Sequence, residues 1–304
     1  MNILVLGGLG HIGSKLIEVL SKDNKINKIV IVDNLITNRY CSLFNIKKSK
    51  FSFEFCDVLK VDLNILNQKY DFKILINLSA ITDASSSFKI KSKIFNNNYN
   101  ITKKVTNFIK KNSVKLIFIS STSVYGENSK IVNENSTLFP QSPYAECKIK
   151  EENYIKKNLK KNNQFVILRF GTIAGVSKGM RFHTAVNKFC FEASFDLPIT
   201  VWKSALRQYR PYLSLSDATK SILFLVKKNY FNNETYNILS ENLRPIDIID
   251  EIKKYKKDIK IDLTDSRIMN LLSYRVENKK FRKLGFNFSG SIAKEIKDTL
   301  NLLK

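Results

Sequence analysis

A tyrosine and a lysine four positions apart are the side chains of this sequence best suited to acid–base chemistry. Tyr144 and Lys148 follow Pro143 at the start of a stretch with helical periodicity, which places both side chains on one face, one turn apart. A lysine ammonium beside a phenol lowers the phenol pKa from about 10 toward neutrality, so that the phenol can donate or accept a proton. A hydroxyl-rich run, 120–123, ends a predicted strand shortly before this pair. Together these features predict proton transfer centred on Tyr144.

Three glycines follow the first apolar segment of the chain. Gly7, Gly10 and Gly13 form a GxxGxxG pattern between a predicted strand and a predicted helix. This arrangement permits a tight turn, lets the backbone approach a pyrophosphate closely and places the phosphates at the helix N-terminus. Asp33, 20 positions after the last glycine, closes the second predicted strand. A carboxylate there accepts hydrogen bonds from the adenosine ribose and repels a 2′-phosphate, so the sequence predicts a dinucleotide site that prefers NAD to NADP.

Asp57 follows the third predicted strand, and its position leaves two interpretations open. Its carboxylate could accept a hydrogen bond from the adenine amino group, or it could cap the next helix. Arg39 could approach a phosphate, but the Asp33 carboxylate is expected to dominate this edge of the site.

These residues lie in a chain that alternates short β-rich runs with helical patterns. The predicted strands are 2–6, 28–32, 51–55, 73–77, 114–120 and 165–169. The predicted helices are 12–20, 61–68, 90–111 and 144–160. Strand–helix alternation implies right-handed βαβ crossovers and a parallel sheet with helices on both faces. The predicted fold is therefore an α/β doubly wound parallel sheet of the Rossmann type.

After residue 170 the pattern becomes less regular. A loop over 175–181, a helix near 184–194 and an extended segment at 199–202 lead into a mixed α/β region that continues to Lys304. No Pro-, Gly- or Ser-rich linker separates the two parts of the chain. We therefore expect an NAD-binding Rossmann domain over 1–170 and a smaller substrate-binding lobe over 171–304, some segments of which return to the first domain.

The charge of the chain does not indicate a nucleic-acid partner. The 304 residues carry a formal net charge of +24, but this charge is spread evenly along the chain, and 42 of the 51 basic residues are lysine. Proteins that bind nucleic acid favour clustered charge and use arginine for bidentate base and phosphate contacts. We therefore expect a solvated, lysine-rich surface and no nucleic-acid partner.

The remaining composition favours a cytoplasmic protein without a metal or a membrane anchor. No apolar run approaches the roughly 20 residues of a membrane span, and the apolar run at 3–6 is too short for a signal-peptide core. The four cysteines lack a CxxC pattern and are expected to be buried apolar residues in a reducing compartment. With only two histidines, no metal site is expected. His183 is expected to pack or to cap a helix, and a loop position near the substrate is the alternative.

The order and spacing of several motifs make the sequence resemble the extended short-chain dehydrogenase/reductases. Among these enzymes, it is similar to the NAD-dependent nucleotide-sugar epimerase/dehydratase group. Within that group, it resembles the members that are like UDP-glucose 4-epimerase. The resemblance covers nearly the whole chain. The motifs are GGLGHIG at 7–13, VDN at 32–34, CDV at 56–58, INLSA at 76–80, the Asn98-x-x-x-Thr102 pair, SSTSVYG at 120–126, SPYAECK at 142–148, LRFGTIAG at 168–175, RQYRPYLSLSDA at 207–218 and KKFRKLGF at 279–286.

The resemblance implies roles for individual residues. Tyr144 would be the acid/base on a sugar hydroxyl, Lys148 would tune it and bind the nicotinamide ribose, and Ser121 matches the catalytic Ser/Thr. The residues expected to bind NAD are Gly7, Gly10, His11, Ile12, Gly13, Asp33, Asn34, Asp57, Val58, Leu78, Ser79, Ala80, Asn98 and Lys148. The residues expected to bind a nucleotide-diphosphate sugar are Ser121, Thr122, Tyr144, Thr172, Arg181, Asn187, Trp202 and Arg210, with Arg210 on the diphosphate. For Trp202 a position in the apolar core is the alternative to stacking on the nucleotide base.

The reaction that the resemblance implies is removal of the sugar C4 hydroxyl proton with hydride transfer to NAD⁺, which gives a transient 4-keto sugar. The dehydratases of the group carry an acidic pair directly after the catalytic Ser/Thr, where this chain has Thr122 and Ser123, so 4,6-dehydration is disfavoured. A nucleotide-sugar 4-epimerase is therefore expected. A 4-dehydrogenase or 4-ketoreductase is one alternative, and a non-catalytic NAD-binding sensor or partner module is the other. A homodimer formed through the helices at 90–111 and 144–160 is also implied.

Overall fold

The computed structural model describes residues 1–82, 86–159, 164–265 and 273–304. The strands are β1 (Asn2–Leu6), β2 (Lys28–Asp33), β3 (Phe51–Phe55), β4 (Phe72–Asn77), β5 (Lys115–Ser121), β6 (Ile131–Val132), β7 (Phe165–Phe170), β8 (Thr172–Ala174), β9 (Ile199–Trp202), β10 (Arg210–Ser214), β11 (Glu234–Ile238), β12 (Glu241–Leu243), β13 (Ile261–Thr264) and β14 (Arg275–Val276). The helices are α1 (His11–Ser21), α2 (Leu63–Tyr70), α3 (Lys91–Ile94), α4 (Asn100–Lys111), α5 (Pro143–Asn158), α6 (Ala185–Ser194), α7 (Leu215–Lys228), α8 (Pro245–Lys253), α9 (Lys279–Arg282) and α10 (Ile292–Leu303).

Seven strands form one sheet in the order β11-β7-β5-β4-β1-β2-β3, and every neighbouring pair is parallel. The direction of winding reverses between β1 and β4, which opens a crevice at the carboxyl ends of the strands. The predicted doubly wound parallel sheet is confirmed. The outermost strand, β11, comes from the second part of the chain.

Alternating residues of the strands supply two apolar cores, one on each face of the sheet. Ile3 and Val5 of β1 pack in the core that contains α1 and α7. Leu4 and Leu6 point to the opposite face, where α4 and α5 pack. All four side chains are fully buried, and each such side chain contributes roughly 1.5–3 kcal/mol to folding. Because both faces are covered, the central strands are almost entirely apolar.

The second part of the chain builds smaller sheets beside the carboxyl edge of the large one. β8, β10 and β12 form one sheet, and β9 pairs with β13 in another. α6, α8 and α10 cover these strands with a third apolar core. One further pair, β6 with β14, joins the two parts of the chain.

The predicted helix at 90–111 is interrupted. α3 and α4 are separated by a π-helical turn, Phe95–Tyr99, which contains three consecutive asparagines. The wider turn carries a fully buried asparagine, Asn98, whose amide bonds the segment after β4. Periodicity alone could not reveal this turn, because the apolar spacing resumes in α4.

The cysteines only partly follow the prediction. Cys147 and Cys190 are buried, and burial raises the pKa of each thiol to about 12. Cys41 is exposed and Cys56 is half-buried, so the prediction of burial is wrong for these two. Among the residues that the structure describes, no helix is long and apolar enough to cross a bilayer.

Candidate active site

The carboxyl ends of the sheet strands open into one large cavity of about 1530 Å³. It exceeds the roughly 300–1,000 Å³ of a typical small-ligand cleft, so it offers room for two ligands. The glycine-rich loop and the ends of β2 and β3 line one half of it, which we call the cofactor half. Residues of α6, β9 and β10 line the other half, called the substrate half.

The glycine-rich loop has the backbone geometry that only glycine allows. Gly7 has φ +70°, and a Cβ there would lie 2.7 Å from the Ser79 Cα. A Cβ on Gly13 would lie 2.4 Å from the Gly8 carbonyl oxygen. Gly10 behaves differently, because the nearest atom to its Cβ position is 3.7 Å away and the residue lines the cavity. The loop therefore packs tightly at both ends and leaves its centre accessible to a ligand.

Asp33, at the end of β2, lines the cavity beside this loop. One carboxylate oxygen accepts a hydrogen bond from the Leu9 amide at 3.1 Å, and the other accepts one from the Leu35 amide at 2.9 Å. Each carboxylate oxygen has two lone pairs, so both retain acceptor capacity toward the cavity. The carboxylate thus fixes the glycine-rich loop and faces the space where a ribose would lie.

Asp57 lines the cavity next to Asn34 and Val58. Its carboxylate accepts hydrogen bonds from the Asn34 side chain at 3.2 Å and from the Leu59 amide at 2.8 Å. The N-cap of α2 is Asp62, whose side chain accepts from two amides of the first turn. The helix-capping interpretation of Asp57 is therefore wrong, and its position agrees with the adenine interpretation.

The wall after β4 is formed by Leu78, Ser79 and Ala80, which line the cavity as predicted. Asn98 does not line it. Its amide is fully buried and bonds the Ile81 backbone in both directions, at 2.8 and 3.0 Å. The prediction that Asn98 contacts the cofactor is corrected accordingly, because both ends of its amide already hold the wall in place.

A segment from the second part of the chain crosses the glycine-rich loop. We call residues 175–181 the strap. The Ser177 hydroxyl donates to the His11 carbonyl at 2.9 Å, and the Gly179 amide donates to the Ser14 hydroxyl at 3.0 Å. A Cβ on Gly179 would lie 2.4 Å from the Gly10 carbonyl oxygen, so this close packing requires glycine. Arg39 donates to the Gly179 carbonyl at 2.8 Å and therefore holds the strap.

His11 anchors the first residue of the strap. Its Nε2 lies 2.7 Å from the Gly175 carbonyl oxygen, and since a carbonyl only accepts, Nε2 must carry the proton. Burial lowers the pKa of His11 to about 4, so the ring is neutral at physiological pH. His11 and Ile12 both line the cavity, as predicted for cofactor-binding residues.

Asn187, predicted to contact the substrate, instead ties the two ends of the strap together. Its side-chain oxygen accepts from the Gly175 amide at 3.1 Å, and its amide nitrogen donates to the Arg181 carbonyl at 3.0 Å. The residue is fully buried and does not line the cavity. The prediction is corrected because both ends of the amide are engaged by backbone.

The three predicted catalytic residues meet between the two halves of the cavity. α5 begins with Ser142 as N-cap, whose hydroxyl accepts from the Ala145 amide at 3.2 Å, and this start places Tyr144 in the first turn. Ser121, the last residue of β5, lies beside the Tyr144 side chain and acts to lower the pKa of its phenol. The Lys148 ammonium lies 5.8 Å from the centre of the Tyr144 ring. All three residues line the cavity.

The electrostatics of Tyr144 differ from the prediction. Burial raises the pKa of its phenol above the usual value, although Lys148 and Ser121 act in the opposite direction. The expected shift toward neutrality is therefore wrong for this structure. The physical reason is twofold: the phenol is buried, and the Lys148 charge is offset by Glu151, whose carboxylate lies 3.0 Å from the ammonium.

A buried network below the catalytic residues holds α5 on the sheet. Arg169 of β7 donates to Glu152 of α5 at 2.9 and 2.7 Å and to the Tyr125 hydroxyl at 2.8 Å. The Ser120 hydroxyl donates to the same carboxylate at 2.6 Å. Because every member has a partner, this network fixes the register of α5 against β5 and β7.

The predicted substrate residues other than Asn187 all line the cavity: Ser121, Thr122, Tyr144, Thr172, Arg181, Trp202 and Arg210. Arg181 donates to the Thr82 hydroxyl at 2.9 Å, which joins the strap to the wall after β4. Trp202 is half-buried, so it lies on the cavity surface rather than in the core. His183 is exposed and lines the cavity, and the N-cap of α6 is Thr184, so its packing or capping interpretation is wrong.

With this geometry established, comparisons with known proteins identify the group. The profile of the NAD-dependent epimerase/dehydratase family matches residues 3–238. The chain belongs to this family. The predicted family, the fold class and the NAD cofactor of the enzyme are confirmed, and so is the predicted reaction class, a nucleotide-sugar 4-epimerase.

The chain is similar to several known proteins of this family. It is 30% identical over 272 residues, 84% of this chain and 83% of the relative, to an uncharacterised UDP-glucose epimerase of Bacillus subtilis. A putative UDP-glucose 4-epimerase of Methanocaldococcus jannaschii is 24% identical and spans 99% of this chain and 98% of its own. The crystal structure of UDP-glucuronic acid 4-epimerase from Bacillus cereus with UDP-glucuronic acid and NAD has a TM-score of 0.91 and 26% identity, and the match covers 100% of this chain and 99% of that one.

Two features of this family member were missed in the sequence. Glu151 continues the spacing of Tyr144 and Lys148 along one helical face, at i, i+4 and i+7, which is a readable signal. The strap contains two glycines, Gly175 and Gly179, which indicate close backbone contacts. Gly175 contacts His11, which lies more than 160 positions away along the chain. Sequence spacing could therefore not identify this partner.

Proposed function

We propose that the protein interconverts UDP-sugars that differ in configuration at C4, with Tyr144, Lys148 and Ser121 as its catalytic residues. One observation carries the proposal: these three side chains lie together on the wall of a single cavity, between the glycine-rich loop and Arg210. A cofactor in one half and a sugar in the other would both reach Tyr144.

The residues of the cofactor half fit NAD. The open face at Gly10 accommodates a pyrophosphate, which the N-terminus of α1 attracts. The Asp33 carboxylate supplies acceptors for ribose hydroxyls, and Asn34, Asp57 and Val58 line the adenine end. When bound, NAD supplies the chemistry of accepting a hydride from the sugar C4 and returning it.

The chain's own residues handle the proton. Tyr144 removes the C4 hydroxyl proton and later returns it, and the Ser121 hydroxyl, which lies beside the phenol, orients the sugar oxygen. Lys148 holds a positive charge beside the phenol, which stabilises its ionised form.

The substrate half supplies contacts for a nucleotide diphosphate. The Arg210 guanidinium suits bidentate binding of phosphate oxygens, and Trp202 offers a face on which a base can stack. Thr122, Thr172 and Arg181 then contact the sugar. UDP is proposed as the nucleotide because the described relatives in Bacillus subtilis and Bacillus cereus bear names with a UDP-sugar.

We further propose that residues 1–170 serve mainly NAD binding and 171–304 mainly substrate binding, that the protein is a homodimer, and that it is cytoplasmic. α4 and α5 lie side by side, and the rings of Tyr99 and Tyr154 meet at 5.7 Å on this face. A monomer in analytical ultracentrifugation would contradict the dimer. The free cysteines agree with a reducing compartment.

The test is a panel of UDP-, GDP-, CDP- and dTDP-sugars incubated with the purified protein while C4-inverted products and NADH absorbance are followed. We expect a UDP-sugar to be inverted at C4 without net accumulation of NADH. Stoichiometric NADH accumulation would indicate a 4-dehydrogenase instead. Binding of NAD without turnover of any sugar in the panel would contradict the proposal and favour a sensor.

A further inference from the structure

We infer that Glu151 is a positioning residue that sets the protonation of Tyr144 through the Lys148 ammonium. The inference rests on the proposed function only in taking Tyr144 as the reacting phenol. Tyr144, Lys148 and Glu151 follow one another along one face of α5, so the carboxylate lies one turn beyond the ammonium and two turns beyond the phenol.

The contact between Lys148 and Glu151 is an ion pair sealed from solvent. Nζ lies 3.0 Å from Oε2, and the two side chains are 4% and 2% exposed. Nζ also donates to the Ile119 carbonyl at 3.2 Å. An ammonium has three N–H donors, and the Ile119 carbonyl accepts from one of them. Glu151 Oε2 accepts no hydrogen bond from the described residues, so this carboxylate acts on the ammonium through its charge.

Glu151 is itself held in place from a second helix. The Thr102 hydroxyl of α4 donates to its Oε1 at 2.5 Å. The neighbouring carboxylate, Glu152, is directed to a different partner and pairs with Arg169 at 2.7 Å. The two adjacent buried carboxylates thus have separate functions: Glu152 secures the helix to the sheet, and Glu151 faces the catalytic pair.

The consequence for the phenol is electrostatic. Burial by itself lowers the pKa of Lys148, but Glu151, Tyr144 and Cys147 together more than offset this and the pKa is raised, so the lysine stays charged. A paired cation, however, stabilises a nearby phenolate less than a lone cation does. Burial raises the pKa of Tyr144, and Glu151 raises it further. Removing only the Glu151 charge should therefore make Tyr144 easier to ionise.

Other titratable or charged groups lie near Tyr144 or line the same cavity. They are identical in the wild type and in a variant that lacks only the Glu151 charge. Cys147 lies on α5 between the two catalytic residues. The charged or titratable groups that line the cavity from other elements are His11, Asp33, Arg39, Asp57, Lys93, Arg181, His183, Lys188, Arg210 and Tyr274.

The test is a tyrosinate titration of the NAD-bound enzyme by ultraviolet difference absorbance, with the corresponding Tyr144→Phe variant as the reference. In Glu151→Gln, which keeps the shape and removes the charge, we expect the Tyr144 midpoint to fall by roughly one pH unit or more. The acidic limb of the kcat/KM profile should move in the same direction. Glu146→Gln is the matched control, because this half-buried residue of α5 pairs with the more exposed Lys91 and should leave the midpoint unchanged.

An unchanged or higher midpoint in Glu151→Gln would overturn the inference, since it would mean that the lysine loses its proton or that the carboxylate does not act on the phenol. Should that variant fail to fold, Glu151→Asp retains the charge but withdraws it by one methylene. This variant should shift the Tyr144 midpoint in the same direction by a smaller amount. An unshifted midpoint would also contradict the inference. Because the titration requires no turnover, an inactive wild type would contradict the proposed function and leave this measurement interpretable.

Discussion

The two halves of the cavity are built differently. The cofactor half is shaped by backbone: Gly7, Gly10 and Gly13 set its floor, and Asp33 fixes this floor with hydrogen bonds to main-chain amides. The substrate half is shaped by side chains such as Arg210 that come from separate elements. A backbone-built site follows from a short local motif, whereas a side-chain-built site depends on how distant segments pack.

This difference explains what the sequence could and could not reveal. The glycine pattern and Asp33 belong to one βαβ unit, so their spacing was sufficient to predict the cofactor half. The sequence predicts that Asn98 contacts the cofactor and Asn187 the substrate, but both side chains bond backbone groups of the protein instead. A polar residue near a site looks the same in the sequence whether it contacts a ligand or bonds the protein backbone. Only the packing around it distinguishes the two roles.

The largest expected effect concerns the residue shared by both halves. Tyr144→Phe removes the proton-transferring hydroxyl and should reduce kcat by roughly 10²–10⁴-fold, with NAD binding unchanged. Epimerisation assays and NAD titration measure the two quantities. Tyr154→Phe, on the same helix at a distance from the cavity lining, is the control and should stay active. Near-normal turnover in Tyr144→Phe would remove the tyrosine from the mechanism.

The next effect tests the cofactor half alone. Asp33→Asn removes the charge from hydrogen bonds that are worth roughly 1.5–3 kcal/mol, so NAD affinity should fall roughly 10- to 100-fold and the preference over NADP should shrink. Isothermal titration with both cofactors measures this. Asp71→Asn changes the same net charge at an exposed position and should have no effect. Equal loss of NAD and NADP binding would show that Asp33 acts only on the loop.

A third effect concerns pH and the contact between strap and loop. His11 has a pKa of about 4 in the folded protein and about 6.5 when unfolded, so the unfolded chain gains a proton first as pH falls. The stability present above pH 6.5 is therefore lost toward pH 4, about 2 kcal/mol of it between pH 7 and 5. Between pH 7 and 5 the thermal stability of the wild type should fall more than that of His11→Gln, because glutamine keeps a donor and does not titrate. Thermal unfolding at several pH values measures the difference. Parallel curves would mean that His11 does not contribute.

The smallest effect tests the strap from the substrate side. Asn187→Ala leaves the Gly175 amide and the Arg181 carbonyl without their partner, at a cost of roughly 1–3 kcal/mol each. A loosened strap should release NAD roughly tenfold faster, as measured by stopped-flow displacement. Asn100→Ala on α4, where the side chain donates to the Asn96 carbonyl in the preceding π-helical turn and does not contact the strap, should leave the rate unchanged. An unaltered rate in Asn187→Ala would show that NAD leaves without movement of the strap.

The position of β11 at the edge of the large sheet has a consequence for biosynthesis. β7 ends at residue 170, whereas its outer neighbour in the sheet, β11, ends at residue 238. α7, which packs over α1, also follows β7 in the chain. Both elements are therefore synthesised after β7. At roughly 5–20 residues per second, the ribosome takes several seconds to supply them. During that interval the emerging half presents an unpaired strand edge and an uncovered apolar face. We therefore expect nascent chains arrested after residue 170 to recruit chaperones and to remain sensitive to protease, and chains extended past 238 to become resistant.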